Sequence, residues 1–492
     1  MKRHTLVCST HAFRLTLAVG ALVAMAALTT TAGVRAAEPV RQFRAGAAAS
    51  NVTPKLGTSI NGNMRDARAE QVHDELHARC LVLDDGKTRL AFAVTDSCML
   101  PREVTDTARR YVREETGLPE DHILISATHS HSCGTSAAVF QSDPDPEYPR
   151  FVARRIADGI RRAAGNLAPA RIGWGTGSVP DEVFNRRWRM KPGVALPNPF
   201  GGTDQVKMNP GAGNPNLLEP AGPTDPQVSV LSVTSPEGRP IALLANYSLH
   251  YVGGTGPGHV SADYYGAFAD RVQQLLGADR QDPPFVGIMS NGTSGNINNI
   301  NFRVPSQPHK PYEKLRLVAD KVATEAVRVQ KSIRYQEWVP LSAAQTELSL
   351  GVRKPSAEEL TRAKGILASA KRPLTTLDEI YAGETMQMSE YPAQVPVLLQ
   401  AMKIGDLAVT AIPCEVFVEI GLELKQKSPI QPTFTVSLAN GYNGYLPTAE
   451  HHALGGYETW RAKSSYLEVQ ASRKVTDGLL GLLGKLKGSP GQ

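Results

Sequence analysis

The sequence is short of cysteine, with five in 492 residues and no CxxC pair. Four of them, Cys80, Cys98, Cys133 and Cys414, fall beyond the first forty residues and stand far apart. Disulfides among them and buried free thiols are equally open at this stage, and neither gives them a catalytic role. An excess of one charge is lacking too. Lys and Arg number 53 against 47 for Asp and Glu, and Lys2, Arg3 and Arg14 belong to the first fourteen residues. No Lys/Arg run is dense enough to track a phosphate backbone, which excludes nucleic acid as the partner. Past the first forty residues no apolar run reaches the ~20 residues of a membrane-spanning helix, so membrane contact is peripheral at most. Internal repeats and low-complexity linkers are also missing, and nothing demands a division into separate domains.

What is there begins with a leader. After Lys2, Arg3 and Arg14 an apolar stretch at 15–27 fades into Thr and Gly before Val34-Arg35-Ala36. That order reads as a secretory signal peptide cleaved near Ala36, its apolar part being too short for a membrane anchor. The expectation is a periplasmic or secreted protein with residues 37–492 as its mature chain. Hydrophobic residues make up 41% and charged residues 20% of the sequence, a composition from which a chain this long builds a large core.

From residue 81 onward, β-branched or apolar runs alternate with amphipathic stretches. Strands are predicted at 90–94 and 123–126, and helices at 102–115, 151–164, 264–276, 312–330 and 356–370. The last opens with Ser356 and Glu359 spaced as a capping box. Alternation of this kind predicts α/β architecture. Between 191 and 226 the chain is rich in Pro, Gly and Asn and is predicted as one long loop, either a surface excursion or a cover over the substrate.

The strongest local signal is Ser126-Ala127-Thr128-His129-Ser130-His131-Ser132, directly after an apolar strand. In extended backbone, residues two apart point the same way. Both imidazoles would then aim at one point, a common half-site for a transition metal. A polar strand end at the surface shows the same pattern, and further ligands are needed. Another apolar run, 243–249, ends in His250 and leads into Gly253-Gly254. Ile412-Pro413-Cys414-Glu415 places a carboxylate where a helix is expected to start, a position the helix dipole also favours without any metal. Asn440-Gly441-Tyr442-Asn443-Gly444-Tyr445 places a tyrosine in a glycine-bent turn.

Together and in this order, these pieces resemble the neutral/alkaline, non-lysosomal ceramidase family. Asp74-Glu75-Leu76-His77-Ala78-Arg79-Cys80 and Asn185-Arg186 are similar to family landmarks, and Tyr457 follows Tyr445 by twelve residues. The similarity runs from about Val52 to about Glu468. It implies a single large catalytic domain of two stacked mixed β-sheets flanked by helices. It also implies that His129, His250, Glu415 and Tyr445 bind one zinc ion (Zn2+), with His131 beside the metal as an acid/base group. Arg186 and Tyr457 would stabilise the oxyanion. The implied function is zinc-dependent hydrolysis of an amide or ester, with N-acyl sphingosine (ceramide-like) lipids as one substrate class.

Two departures qualify this. Where the family has its serine nucleophile, this chain reads Gly295-Asn296-Ile297-Asn298, and an amide cannot attack a carbonyl. Thr293 and Ser294 would serve only with a rearranged backbone. The expectation is attack by water activated at the zinc, with His131 carrying the proton and Asn298 orienting water or substrate. Fuller members carry an immunoglobulin-like domain after the tyrosine turn, whereas residues 464–485 here read as one or two helices packed on the catalytic domain. Two alternatives stand beside the lipid amide: a polar acylated or amide substrate hydrolysed at the same zinc, and a catalytically silent zinc-site binding protein. Asp263 is expected to serve as a helix cap or loop residue rather than as a partner to a zinc-bound histidine.

Overall fold

A computed structural model describes residues 41–488; the leader expected at 1–36 lies outside them. Three main sheets meet in one apolar core. The first has five strands in the order Ile123–Ala127, Arg89–Thr95, His77–Asp84, Arg44–Asn51 and Ala168–Pro169. The second orders Val286–Asn291, Pro240–Tyr247, Gln227–Thr234 and Arg171–Ser178, and the third Leu341–Gly351, Gln394–Ile404, Leu407–Ala411 and Thr433–Val436. Each contains one parallel pair among antiparallel neighbours.

Side-chain alternation explains the stacking. In Arg89–Thr95, Leu90, Phe92 and Val94 point into the core shared with Leu231, Leu244 and Ile288 of the second sheet and Met402, Val409 and Phe434 of the third. Ala91 and Ala93 point the other way, onto the helices Arg102–Thr116 and Glu147–Gly165. The helices Asp263–Leu275 and Glu313–Ser332 cover the outer face of the second sheet. Val418–Lys427 and Ala471–Gly488 cover the outer face of the third. The architecture is therefore α/β with stacked mixed sheets between helices, the second layer being divided in two. Its halves come together where Asn246 donates to the Thr435 carbonyl at 3.2 Å.

The helices follow the amphipathic periods read from the sequence, and Ser356 and Glu359 do form a capping box on Ala357–Leu367. Two local expectations need correction. The Pro/Gly/Asn-rich stretch 191–226 is not wholly loop, because Val206–Met208 and Leu217–Pro220 pair on either side of Arg187–Met190. That strand supplies the hydrogen-bonding template their own composition does not advertise. Glu415 does not open a helix: Glu415–Val416 is a short strand paired in parallel with Tyr445–Leu446, and the helix begins at Val418. The C-terminal segment forms one helix, Ala471–Gly488, whose Val475, Leu479, Leu482 and Leu486 are buried. The four cysteines are free and buried. No described helix is long and apolar enough to cross a membrane.

Candidate active site

The parallel pairs place their carboxyl ends together, which is where ligands gather in α/β sheets. His129 stands two residues beyond Ile123–Ala127, His250 three beyond Pro240–Tyr247, and Glu415 four beyond Leu407–Ala411. Backbone bonds stitch these ends to one another. Asn440 N–H donates to Ile125 at 2.7 Å, Ser437 N–H to Asn291 at 3.0 Å, and Leu438 N–H to Cys414 at 3.0 Å.

His129 and His131 do converge, with their Nε2 atoms 3.3 Å apart, but not by strand alternation. The strand has already ended, and His129 has a φ of 77°, a left-handed conformation uncommon outside glycine. Its N–H donates to the Ser97 carbonyl at 2.8 Å, so the neighbouring strand end holds the turn.

Tautomers follow from the second nitrogen of each ring. His129 Nδ1 lies 2.8 Å from the Cys98 carbonyl and His250 Nδ1 lies 3.1 Å from the Ser294 carbonyl. A carbonyl only accepts, so both Nδ1 atoms carry the hydrogen and both Nε2 atoms present lone pairs. Those Nε2 atoms face each other at 2.9 Å, with Glu415 Oε2 3.1 Å from His129 Nε2 and 3.9 Å from His250 Nε2. Glu415 Oε2 is buried and has no hydrogen-bond partner among the described residues. Two lone pairs and an orphaned carboxylate oxygen converging without a proton donor form a donor set that fits a divalent cation.

The surroundings support the same set. Tyr442 donates to Glu415 Oε1 at 2.9 Å, and the Tyr445 hydroxyl also reaches the carboxylate. Burial acts to raise the Glu415 pKa, while the nearby Arg186 guanidinium acts to lower it. Burial pushes His250 and His131 well below the usual imidazole value, so both rings are neutral. Cys98 also approaches, its Sγ 3.7 Å from His129 Nδ1. That is the ring edge already committed to a carbonyl, and burial holds the thiol protonated.

Arg186 carries the positive charge of the site. Its Nη2 donates to the Tyr445 hydroxyl at 3.0 Å and its Nε to Glu458 Oε1 at 2.9 Å. Burial works against the charge, but Tyr445 and Glu458 outweigh it and the pKa is raised. Arg187 also pairs with the fully buried Glu458, which is thus shared by two guanidinium groups. The Tyr457 ring stands edge-on to Tyr445 with centroids 5.9 Å apart.

Asn298 lies in a two-residue strand against Phe184–Asn185. Its Oδ1 accepts from Ile300 N–H at 3.0 Å and its Nδ2 donates to Asn209 Oδ1 at 2.8 Å, which leaves a single amide hydrogen unengaged. The neighbouring hydroxyls are no substitute for a nucleophile. Ser294 donates to Asn291 at 2.8 Å, and Thr293 faces Ser248 at 3.5 Å. Asp263 serves the loop, as expected: its carboxylate accepts from Val252 at 3.0 Å and Gly253 at 2.7 Å, fixing the segment after His250.

Four residues escaped the sequence reading. Tyr442 lies in the same turn as Tyr445, and Glu458 follows Tyr457; adjacency was the only signal. Tyr251 stacks on His131 with centroids 3.7 Å apart. Gly62, at φ 114°, lies so close that a Cβ there would stand 2.4 Å from His131 Cγ.

Residues 43–303 match the family described as neutral/alkaline non-lysosomal ceramidase, N-terminal, and the chain belongs to that family. The matched region contains His129, His131, Arg186, His250 and Asn298, whereas Glu415, Tyr445 and Tyr457 lie beyond it. A neutral ceramidase from Pseudomonas aeruginosa is 21% identical over 449 residues, covering 79% of this chain. This chain spans only 64% of that relative's length. The crystal structure of neutral ceramidase from Pseudomonas aeruginosa superposes with a TM-score of 0.69 at 17% identity, over 91% of this chain and 75% of that one. A ceramidase complexed with C2 gives 0.67 at 17% identity, over 92% and 76%. At such identity these structures speak for the fold.

Proposed function

We propose that this protein is a zinc-dependent hydrolase of N-acyl lipid amides that works without a serine nucleophile. The observation that carries the reading is the meeting of His129 Nε2, His250 Nε2 and Glu415 Oε2 without a proton among them, beside the buried cation of Arg186. Together with Tyr445 these groups would hold the ion, which supplies Lewis-acid polarisation of a carbonyl and activation of water near neutral pH.

The chain's own residues supply the rest. His131 Nε2 faces the cluster, and a neutral imidazole there takes a proton from the attacking water and returns it to the leaving nitrogen. Tyr251 stacks on that ring and Gly62 packs closely against it. Arg186 and Tyr457 donate to the oxygen on which charge develops, each such donor contributing about 2.7–4 kcal/mol. Glu458 fixes the Arg186 fork by taking its Nε. Asn298, bonded at both ends of its amide, is a structural tie rather than a nucleophile.

A lipid substrate is favoured over a polar one by the wall next to the site. A cavity of about 360 Å³, lined by Met64, Leu196, Pro197, Val206, Met208 and Trp460 among others, adjoins Tyr457. Apolar and aromatic side chains make up most of that wall, with Asp204 and Lys207 its charged residues. Hydrolysis of a fluorescent N-acyl sphingosine before and after chelation tests the reading: turnover lost with the metal and restored by zinc supports it, and turnover indifferent to chelation overturns it. Export is part of the same proposal and rests on the leader at 1–36; the N-terminal sequence of the protein recovered outside the cytoplasm checks it.

A further inference from the structure

We infer that Arg79 is a positioning residue for the metal centre: with Asp96 and Asp74 it clamps the two segments that hold the turn carrying His129 and His131. The inference rests on the reading of His129, His250 and Glu415 as a zinc site. The turn cannot hold itself. The strand Ile123–Ala127 ends two residues before His129, whose φ of 77° is a conformation that residues other than glycine seldom adopt. Strained backbone of this kind persists only where its surroundings over-determine it.

One clasping segment is 96–98. The Ser97 carbonyl accepts from His129 N–H at 2.8 Å, and the Cys98 carbonyl accepts from His129 Nδ1 at 2.8 Å. The first bond holds the turn, and the second decides which ring nitrogen keeps its lone pair. Yet this segment lies past the end of its own strand, Arg89–Thr95, where the ladder bonds stop. The Asp96 side chain takes over from them. Its Oδ2 accepts from His77 N–H at 2.8 Å and from Arg79 Nη1, and its own N–H donates to the His77 carbonyl at 2.9 Å. Asp96 is fully buried and Arg79 nearly so. Water therefore cannot replace either partner, and removing one leaves the other charge uncompensated.

The other clasping segment is 261–262. Ser130 Oγ donates to the Ser261 carbonyl at 2.9 Å, and Ser261 N–H donates to the Ser132 carbonyl at 2.9 Å. The next residue is fixed by Asp74, whose Oδ2 accepts from Ala262 N–H at 2.6 Å. Arg79 links the two sides. A Cβ on Gly266 would stand 3.7 Å from Arg79 Nη2 and 3.8 Å from Asp74 Oδ2, so the second guanidinium nitrogen and the Asp74 carboxylate border one small gap while the first nitrogen holds Asp96. A planar fork serves two carboxylates at once, which the single ammonium of a lysine does not. Histidine ligands owe their orientation to groups of this kind, one step behind the metal.

The test reads metal affinity and tautomer rather than turnover. Arg79→Lys keeps the charge and loses the fork, whereas Asp96→Asn keeps the shape and loses the charge. Zinc affinity of the folded proteins, measured by competition with a chromophoric chelator, is expected to fall about tenfold to a hundredfold in each. A merely stabilising pair would lower the denaturant midpoint and leave that affinity unchanged, so parental affinity in both folded variants overturns the proposal. Should both fail to fold, Asp74→Asn decides, since that side chain is 36% exposed and its loss frees only the second segment. A severalfold weaker zinc affinity sustains the clamp, and an unchanged one sinks it. If the parent protein takes up no zinc, the functional reading fails, yet the nitrogen-15 shifts of His129 in the metal-free chain still decide the clamp. Nδ1–H in the parent and mixed tautomers in Asp96→Asn sustain it; the same tautomer in both overturns it.

Discussion

The Nε2 atoms of His129 and His250 face one another at 2.9 Å with no hydrogen between them, because each ring has turned its Nδ1–H to a backbone carbonyl. Two lone pairs beside a buried carboxylate oxygen repel one another unless a cation stands among them. A metal bound at this point stabilises the folded chain by mass action, typically by a few kcal/mol at ligand concentrations well above Kd. Chelation is expected to lower the thermal midpoint, and zinc to restore it; a midpoint unchanged by both would remove the metal from the account.

Gly62→Ala tests His131. The added Cβ would lie 2.4 Å from His131 Cγ, and the φ of 114° already strains any other residue. The ring must move, and loss of a positioned acid/base group lowers kcat by about a hundredfold to ten-thousandfold. Metal content should persist, since no ligand is touched. Full activity in Gly62→Ala would mean that His131 carries no proton.

Glu458 governs acid stability. It ionises near 4.5 in the unfolded chain and below that when folded, because Arg187 and Arg186 outweigh the upward pull of burial. A depressed carboxyl contributes stability that is fully present above 4.5 and lost as pH falls through the folded value. Denaturant titrations of Glu458→Gln should show a shallower loss below that pH than the parent protein. They should also show a general cost of about 3–5 kcal/mol for leaving two buried guanidinium groups with one neutral partner. Identical acid limbs would contradict the assignment.

Asn298 makes a prediction about intermediates. A serine route leaves an acyl-enzyme, whereas attack by water leaves none. Intact mass of the acid-quenched reaction should show unmodified protein throughout turnover. Asn298→Ser should cost about 1 kcal/mol through the lost bond to Asn209 and loosen the segment at 206–209. An acyl adduct on Thr293 or Ser294 in the parent protein would refute attack by water.

Much of this was legible in sequence order, though not always for the reason the sequence offered. His129 and His131 do meet, but through a left-handed turn at His129 rather than through extended alternation. Glu415 lies at the site because Glu415–Val416 pairs with Tyr445–Leu446, a long-range contact that two-residue strands do not announce. The segment 191–226 looked structureless because Pro, Gly and Asn dominate it, and only the neighbouring strand Arg187–Met190 draws two pieces of it into a sheet. The strand Arg89–Thr95 was readable, since burial on both faces leaves a continuous apolar run. Gly62, Tyr251 and Glu458 act through contacts made in space, which no local spacing records.

The most direct test of the central claim is metal content, measured by elemental mass spectrometry on the purified protein and on His250→Ala, with circular dichroism to confirm that the variant is folded. About one zinc ion per chain is expected in the parent, and almost none in a folded His250→Ala. A folded parent protein free of metal after zinc supplementation, or a variant that retains its zinc, would contradict it.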